Sequence, residues 1–388
     1  MEQTPHFETQ AIRGQVERTQ YREHSVPMYL TSSFVFPSAE NMRDTFAGEE
    51  AGIIYSRYSN PNTNEFIHKV CQMEQAEDGF ATASGMSAVF ASMAAFLSAG
   101  DHVIASRAVF GSTHQVLTQV LAKWGITHTY VEPTDVESWE EKVQANTKML
   151  VLESPSNPGL TLVDLEKAGA FAKKHQLIFN IDNCFASPYL QQPAKYGADL
   201  IVHSGTKWMD GQGRVLAGIV VGKAELIEKV RFFCRHTGPA LAPFNAWVLS
   251  KSLETLSIRM EKHCSNALKL AEFLENHEAV DWVKYPFLPS HPQYSLAKKQ
   301  MRLGGGLVSF QLKGGAESAM RFLNKIKLCS LSSNLGDTRT IVTHPTSTTH
   351  SKLQEAERLA VGIMPGMIRT SVGLEHIEDI IGDFRQAL

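Results

Sequence analysis

The sequence predicts an α/β protein in which a mainly parallel sheet is covered by helices on both faces. Between residues 56 and 245, short apolar segments alternate with amphipathic helical segments, a pattern typical of parallel sheets that lie between helices. From Pro243 onward, a long helical pattern leads into a smaller region of mixed α and β character. The length of 388 residues allows two or three domains and a large core.

The chain divides into three predicted segments. The first, 1–55, is an irregular N-terminal arm punctuated by prolines. The second, 56–245, holds the alternating elements and is the predicted ligand-binding domain. The third, 246–388, is a predicted C-terminal α+β domain that begins in or near the long helix. Helices are predicted at 62–77, 86–99, 164–176 and 244–277. Strands are predicted at 102–107, 147–154, 177–182, 199–204 and 215–222.

Charge and composition argue against several classes of partner. Lys and Arg number 37 against 40 Asp and Glu, a formal net charge of −3, which disfavours nucleic acid or an anionic membrane as the main partner. No apolar run is long enough to span a bilayer, and the polar N-terminus lacks the regions of a signal peptide. The five cysteines are scattered without a Cys-x-x-Cys pair, which disfavours a disulfide framework or a zinc site. We therefore expect a cytoplasmic protein without a metal.

Polar residues at the ends of predicted strands are the candidates for a ligand site, because open α/β sheets bind ligands at the carboxyl ends of their strands. In "ATASGMSAV", Gly85 and Met86 begin a helix whose free N–H groups can bind a phosphate. A plain helix cap by Ser84 is the alternative. In "LESPSNPG", Asn157 follows a strand, where an Asn-Pro pair also fits an ordinary turn. Neither segment alone distinguishes a ligand site from local structure.

Two further strand ends carry charged groups. "IFNIDNCF" places Asp182 at the end of an apolar strand, either as a cap or as a partner for a buried cation. "HSGTKW" places the hydroxyls of Ser204 and Thr206 beside Lys207, although a lone loop lysine is usually solvated. Pyridoxal 5′-phosphate (PLP) requires a lysine for a Schiff base, an acid on its pyridine nitrogen and a phosphate cup. Taken together, the four strand ends predict a PLP site.

The segments "HSGTKWMDGQGRVLAG" and "IDNCF" resemble those of the Cys/Met-metabolism family of PLP enzymes, in the cystathionine γ-synthase-like branch of fold type I. The resemblance runs over nearly the whole chain, from "TSSFVFPSAE" to "IRTSVGLEHIEDI". It implies a PLP-dependent transferase fold with a mostly parallel seven-stranded sheet between helices and a smaller C-terminal α+β domain. It makes 56–245 the PLP-binding domain. It also implies small-molecule substrates and a homotetramer built as a dimer of dimers.

The resemblance implies a role for each candidate residue. Lys207 forms the Schiff base with PLP, and Asp182 pairs with the pyridine nitrogen. Asn157 lies beside the phenolic oxygen of the cofactor and the substrate, and Arg369 binds the substrate α-carboxylate. The residues implied to bind the phosphate are Gly85, Met86, Ser204, Thr206 and, from a neighbouring subunit, Tyr55 and Arg57.

One position departs from the family pattern. A tyrosine often stacks on the cofactor ring in the family, whereas "RAVFGSTHQ" places Phe110 there. The resemblance thus implies that stacking is kept while the phenol hydroxyl is lost. Proton transfer by that hydroxyl is excluded, and lyase chemistry that depends on it is called into question.

The segments "SRAVFGST", "TKWMDGQGRVLAG" and "NLGDTRTIVTHPTSTTH" are most similar to family members that act as O-succinylhomoserine sulfhydrylases. The expected activity is γ-replacement, in which O-succinylhomoserine and sulfide give homocysteine and succinate in methionine biosynthesis. Arg214 is a candidate partner for the succinyl carboxylate.

Other activities stay open on the sequence. Within the family they are cystathionine γ-synthase, O-acetylhomoserine sulfhydrylase, and methionine or cystathionine γ-lyase. A catalytically silent PLP-binding protein is the alternative from a different class. A dinucleotide-dependent dehydrogenase is disfavoured, because the glycine-rich motif that such enzymes place after a strand is missing.

Overall fold

The computed structural model describes residues 5–15, 17–351, 354–360 and 362–388. Each predicted helix and strand overlaps an observed element. The α-helices are α1 (Phe7–Arg13), α2 (Ala39–Ala47), α3 (Pro61–Glu74), α4 (Gly85–Ala94), α5 (Gly111–Gln115), α6 (Leu165–Lys174), α7 (Ser187–Leu190), α8 (Ala224–Thr237), α9 (Pro243–Leu253), α10 (Leu256–Glu275), α11 (Tyr294–Gln300), α12 (Gly315–Lys325), α13 (Glu355–Ala360) and α14 (Ile377–Ala387). The strands are β1 (Asp78–Thr82), β2 (His102–Ser106), β3 (Thr127–Val131), β4 (Thr147–Glu153), β5 (Ile178–Asp182), β6 (Leu200–His203), β7 (Gly218–Gly222), β8 (Val280–Lys284), β9 (Leu307–Leu312), β10 (Ser330–Leu331), β11 (Ile341–Thr343) and β12 (Met367–Ser371).

The main sheet has seven strands in the order β1-β7-β6-β5-β4-β2-β3. The strands β3, β2, β4, β5 and β6 are parallel to one another, and β7 is antiparallel to both β6 and β1. The segment 204–217 returns from β6 to β7 without a helical crossover, and an antiparallel pair needs none. The predicted mostly parallel seven-stranded sheet between helices is confirmed.

Alternate residues of the central strands contact different helix layers. In β4, Met149 and Val151 belong to the apolar cluster that includes α4 and α8, whereas Leu150 and Leu152 belong to the cluster that includes α3 and α6. Burial on both faces explains why these strands read as continuous apolar runs. Each buried Leu or Val side chain stabilises the fold by ~1.5–3 kcal/mol. Because strand side chains alternate, Glu153 lies on the same side of the sheet as Val151, the side covered by α4.

The C-terminal part contains a second sheet of five strands in the order β10-β11-β12-β9-β8. Its apolar cluster joins this sheet to α10, α12 and α14. In α10, Met260 and Cys264 are buried in the cluster of the main sheet, whereas Ala267 and Leu270 are buried in the C-terminal cluster. The packing of the chain therefore changes in the middle of α10. Although α10 has 20 residues, no helix in the described ranges has both the length and the apolar character to cross a membrane.

The single long helix predicted at 244–277 is wrong in one respect, because two helices, α9 and α10, occupy this stretch. The carbonyl of Ser252, near the end of α9, accepts hydrogen bonds from the backbone N–H and hydroxyl of Thr255 and from the guanidinium of Arg259. These donors satisfy the carbonyl where the regular helical ladder stops. The interruption is therefore marked by local hydrogen bonds among residues 252–259, which the apolar spacing does not record.

The predicted irregular arm contains two short helices. In α1, Ala11 is buried, and the ring of Phe7 meets the edge of Tyr189 with a centroid separation of 5.2 Å. Ser38 caps α2 by accepting a hydrogen bond from the backbone N–H of Asn41. The arm thus combines packed helices with extended segments, and its role as a separate unit stays a prediction.

Candidate active site

Three adjacent strands of the main sheet end side by side. Glu153 of β4 pairs in register with Asp182 of β5, and Asp182 pairs with Val202 of β6. These strands are parallel, so their carboxyl ends lie at one edge of the sheet. The chain leaves β6 at this edge and passes directly into the turn that carries Lys207. Strand direction alone therefore brings the predicted acid and the predicted lysine to the same place.

A site suited to a phosphate lies at the start of α4. Ser84 caps the helix by accepting a hydrogen bond from the backbone N–H of Ser87 at 3.1 Å. The earlier N–H groups, those of Gly85 and Met86, have no acceptor within the helix. A Cβ atom on Gly85 would lie 2.6 Å from Cβ of Ser204, so only glycine allows the helix start to approach that serine. The helix start and the serine hydroxyl fit a phosphate.

Thr206, the second predicted phosphate contact of the turn, is engaged with the returning chain. Its hydroxyl accepts a hydrogen bond from the backbone N–H of Ala217 at 3.0 Å and donates to the carbonyl of Ala217 at 3.3 Å. These bonds fix the turn between β6 and β7. In this arrangement Thr206 acts on the shape of the turn, and its contact with phosphate stays a prediction.

The side chain of Lys207 contacts the C-terminal part of the chain. Its Nζ donates to Oδ1 of Asn334 at 2.5 Å. Burial lowers the pKa of Lys207, and the nearby guanidinium of Arg369 lowers it further. A lowered pKa leaves more of the amine unprotonated, which suits a lysine that must react with a carbonyl group.

The turn after Lys207 is held by a buried arginine that the sequence did not indicate. Arg259, 6% exposed, donates to the carbonyls of Trp208 and Ser252 at 2.6 and 3.0 Å. Gly211 has φ of +70°, and a Cβ there would lie 2.1 Å from Nη1 of Arg259. The glycine is therefore required for the close approach of the arginine to the turn.

Asp182 fits its predicted role as the partner of a ring nitrogen. Its Oδ1 accepts a hydrogen bond from the backbone N–H of Cys184 at 2.9 Å, and burial raises its pKa. A cationic partner would favour the ionised form, because a nearby opposite charge offsets the cost of burial. A protonated pyridine nitrogen is such a partner. The acid, the lysine and the helix start thus fit PLP as a set.

Arg369, on β12, is 1% exposed. Its Nη1 donates to Oδ1 of Asn157 at 3.1 Å, and its Nη2 donates to the carbonyls of Ser333 and Asn334 at 3.1 and 3.0 Å. Its Nε has no hydrogen-bond partner among the described residues. Burial lowers the pKa of Arg369 to about 10, so the guanidinium remains charged at neutral pH. A buried charge with a free donor suits a carboxylate ligand.

The structure thus joins four of the site residues through a chain of hydrogen bonds. Lys207 contacts Asn334, whose carbonyl contacts Arg369, and Arg369 contacts Asn157. Sequence reasoning gave Asn334 no role, although this residue begins the quoted segment "NLGDTRTIVTHPTSTTH". Gly336 has φ of +79°, and a Cβ there would lie 2.8 Å from the backbone N of Trp208, so this glycine allows the loop to reach the lysine turn.

Phe110 and Glu153 meet at the edge of the same pocket. The backbone N–H of Phe110, at the start of α5, donates to Oε2 of Glu153 at 2.6 Å. The backbone N–H of Asn157 donates to Oε1 of the same carboxyl group at 3.2 Å. Sequence reasoning missed Glu153, although its place at the end of an apolar strand was a usable signal.

Tyr55 and Arg57 lie apart from these residues. The guanidinium of Arg57 donates to the carbonyl of Arg235 and lies 4.9 Å from the ring centroid of Tyr58. Arg57 lines a cavity of about 410 Å³, and none of Lys207, Asp182 and Ser204 lines it. Within one chain, the structure does not bring this segment to the lysine. The predicted contact across a subunit interface stays a prediction.

Arg214, the candidate for the succinyl carboxylate, is already paired. Its guanidinium lies 2.8 Å from Oδ1 of Asp210 and also donates to the hydroxyl of Ser252. The side chain of Asp210 is fully buried, so the pair anchors the turn after Lys207. This engagement weakens the case for Arg214 as a substrate contact. In the described part of the chain, no group of three or more His, Cys, Asp or Glu residues could hold a metal.

Comparison with known proteins supports the PLP interpretation. The family model of Cys/Met metabolism PLP-dependent enzymes matches residues 8–388. The chain is 44% identical to an O-succinylhomoserine sulfhydrylase of Pseudomonas aeruginosa over 382 residues, which cover 98% of this chain and 95% of that protein. It is 42% identical to an L-methionine gamma-lyase of Fusobacterium nucleatum over 383 residues, which cover 98% and 97%.

A solved structure from Campylobacter jejuni has a similar fold. It matches with a TM-score of 0.95 and 35% identity and covers 98% of this chain and 99% of that chain. That protein is provisionally assigned as an O-acetylhomoserine (thiol)-lyase and carries N′-pyridoxyl-lysine-5′-monophosphate. The family is PLP-dependent, and the relatives differ in the reaction named for them.

Proposed function

Because the chain belongs to the Cys/Met metabolism family of PLP-dependent enzymes, we propose that it catalyses γ-replacement on O-succinylhomoserine, with sulfide as the nucleophile. The observation that supports this reaction most is the convergence of Lys207 and Arg369 on Asn334, which contacts both side chains. An amine that loses its proton readily, beside a guanidinium that binds carboxylates, suits proton transfer at the α-carbon of an amino acid. The identity with O-succinylhomoserine sulfhydrylases supports the choice of ester.

The residues at the strand ends supply the proposed cofactor contacts. PLP, when bound, supplies an electron-accepting ring that stabilises negative charge at the substrate α-carbon. Lys207 would hold it as a Schiff base, and Asp182 would keep a proton on the ring nitrogen. Phe110 would cover the ring, and Asn157 would contact its phenolic oxygen. The proposed phosphate contacts are Gly85, Met86, Ser204 and Thr206.

Lys207 is the proposed proton carrier. Arg369 binds the α-carboxylate and so aligns the α C–H bond with the amine. Nζ of Lys207 removes the α-proton and, in a later step, removes a proton from the β-carbon. Succinate leaves with the electron pair of the γ C–O bond, and hydrosulfide forms the new C–S bond at the γ-carbon. Protons returned to carbon by Lys207 complete homocysteine.

A second candidate function is elimination from methionine. The identity of 42% with an L-methionine gamma-lyase favours it, and the hydrogen bonds of Lys207 and Arg369 serve either reaction. Phe110 argues against it, because a phenyl ring offers no hydroxyl for proton transfer to a leaving thiolate. Sulfide transfer therefore remains the preferred activity.

We also propose that the site is completed by a second subunit, within a cytoplasmic homotetramer built as a dimer of dimers. Arg57 has no contact with the strand-end residues of its own chain. A guanidinium is suited to a phosphate dianion because its planar fork donates two parallel hydrogen bonds. Tyr55 and Arg57 would supply such a contact to the phosphate of the neighbouring subunit.

A substrate comparison tests the proposed function. The purified holoenzyme is assayed with O-succinylhomoserine and O-acetylhomoserine, each with sulfide and with cysteine, and separately with methionine alone. We expect the highest kcat/KM for the succinyl ester with sulfide, with homocysteine as product. A higher kcat/KM with cysteine, or release of an α-keto acid from methionine at a comparable rate, would overturn the proposal.

A further inference from the structure

Glu153 is a buried carboxyl group that none of the proposed roles uses. It ends β4, and 5% of the residue is exposed. Its two oxygens accept hydrogen bonds from two backbone N–H groups that are far apart in the sequence, those of Phe110 at 2.6 Å and Asn157 at 3.2 Å. On the neighbouring strand, Asp182 lies beside it in register. One side chain therefore connects three segments of the pocket.

A carboxyl group at this position is unfavourable for the stability of the fold. Burial raises the pKa of Glu153, and the carboxylate of Asp182 raises it further, because both disfavour a second negative charge. A glutamine of the same shape would avoid the repulsion. Its carboxamide, however, has one acceptor oxygen, and its NH2 group would face one of the two N–H donors. A carboxyl group instead offers a separate acceptor oxygen to each of the two amides.

We propose that Glu153 is a positioning residue that fixes Phe110 and Asn157 relative to Asp182. This inference rests on the proposed cofactor contacts of those three residues. Through the two amides, Glu153 sets where the phenyl ring covers the cofactor and where the Asn157 carboxamide lies. Asp182, relative to which both residues are positioned, lies on the adjacent strand β5. Glu153 itself touches neither the substrate nor the cofactor.

The variant Glu153→Gln tests the proposal in the holoenzyme. We expect kcat/KM to fall about tenfold, which corresponds to ~1.4 kcal/mol. We also expect a weaker circular dichroism of the visible cofactor band, per bound cofactor, because this signal reports the fixed asymmetric surroundings of the ring. Hydrogen exchange of the Phe110 and Asn157 amides should become faster.

Asp199→Asn is the matched control. Asp199 also accepts a hydrogen bond from a backbone N–H, that of Phe179 at 2.8 Å. Asp199 directly precedes β6, and Phe179 lies near the opposite end of β5 from Asp182. We expect this variant to lower the melting temperature without changing the visible circular dichroism. The proposal is overturned if the two variants change the cofactor signal equally, or if Glu153→Gln leaves both the signal and kcat/KM unchanged.

If Glu153→Gln does not fold, two measurements replace it. In the wild-type holoenzyme, the amides of Phe110 and Asn157 should exchange more slowly than other loop amides. Fast exchange of either amide would refute its proposed hydrogen bond to Glu153. Glu153→Asp keeps both acceptors but withdraws them by one methylene, so it should weaken the visible signal partially; an unchanged signal refutes the role. These readouts require no turnover, so a wrong substrate assignment would not affect them.

Discussion

Two regions carry proposed cofactor contacts, and the fold holds them in different ways. The strand-end group, here defined as Asn157, Asp182, Ser204 and Lys207, follows or ends strands of the main sheet, and hydrogen bonds through Asn334 and Arg369 of the C-terminal part join Lys207 to Asn157. The segment with Tyr55 and Arg57 lies elsewhere and contacts the carbonyl of Arg235.

The difference shows what one chain can specify. Parallel strands bring their ends together by direction alone, so polar residues there form a site without further information. An extended segment outside the sheet has no such constraint. The proposed function of the segment with Tyr55 and Arg57 depends on a partner subunit. Within one chain, this segment lies beside helix α8. The predictions below test this contrast.

The largest effect is expected at the centre of the strand-end group. Lys207→Ala should reduce turnover by about 10³-fold or more, because the variant lacks both the Schiff-base amine and the proton carrier. Lys223→Ala removes a half-exposed lysine that pairs with Asp199 and should leave turnover unchanged. Steady-state assays of both variants would refute the assignment of Lys207 if the first retained most of its activity.

Arg369→Ala should have the next largest effect. We expect kcat/KM for the homoserine ester to fall on the order of 10²- to 10³-fold, about 3–4 kcal/mol, because the carboxylate loses a buried charged partner. KM should rise and kcat should fall, since a misplaced substrate also misaligns its α C–H bond.

Arg214→Ala is the matched arginine control. Arg214 pairs with Asp210 beside the lysine turn, so its loss should affect the succinyl and acetyl esters equally. A selective loss for the succinyl ester would instead make Arg214 the partner of the succinyl carboxylate. An unchanged KM in Arg369→Ala would remove Arg369 from the carboxylate site.

The shared site predicts complementation between two inactive variants. In a random mixture of Arg57→Ala and Lys207→Ala subunits, half of the dimers are mixed, and one of their two sites is intact. About a quarter of all sites should then be active. Activity measured after subunit exchange, with verified mixed dimers, tests this. A mixture that stays as inactive as its parents would show that the site is built within one chain.

The smallest effect concerns the pKa of Lys207 in the cofactor-free protein. Burial lowers this pKa, whereas the hydrogen bond to Glu137 raises the pKa of the exposed Lys167. The pH dependence of amine acylation, followed residue by residue, should therefore place the midpoint of Lys207 below that of Lys167. Equal midpoints would contradict a desolvated amine.

The lowered pKa also has a consequence for stability. Between the folded and unfolded pKa values of Lys207, the unfolded chain binds the additional proton. The contribution of Lys207 to the free energy of unfolding should therefore rise with pH across that window. Replacing Lys207 with methionine should remove this contribution from the pH profile of chemical unfolding in the cofactor-free protein.

The fold and the centre of the site could be predicted from sequence for a common reason. Asp182 and Lys207 follow strands whose apolar runs are recognisable, and strand direction places both at one edge. The break between α9 and α10 was missed because apolar spacing does not report hydrogen bonds such as those that the carbonyl of Ser252 accepts from Thr255 and Arg259.

The supporting residues of the site were missed for the same physical reason. Asn334 and Arg259 act through contacts that span 127 and 51 positions of the chain, and their local sequence carries no signal of this. Glu153 stands next to recognisable residues, but its role depends on two backbone amides that only the folded chain brings together.

The central claim is that the cofactor is held at the strand ends by one lysine. Borohydride reduction of the holoenzyme, followed by digestion and mass spectrometry, tests it most directly, because reduction fixes the Schiff base on the lysine that forms it. We predict a pyridoxyl group on the peptide that contains Lys207 and on no other lysine. A pyridoxyl group on a different lysine, with Lys207 unmodified, would contradict the account.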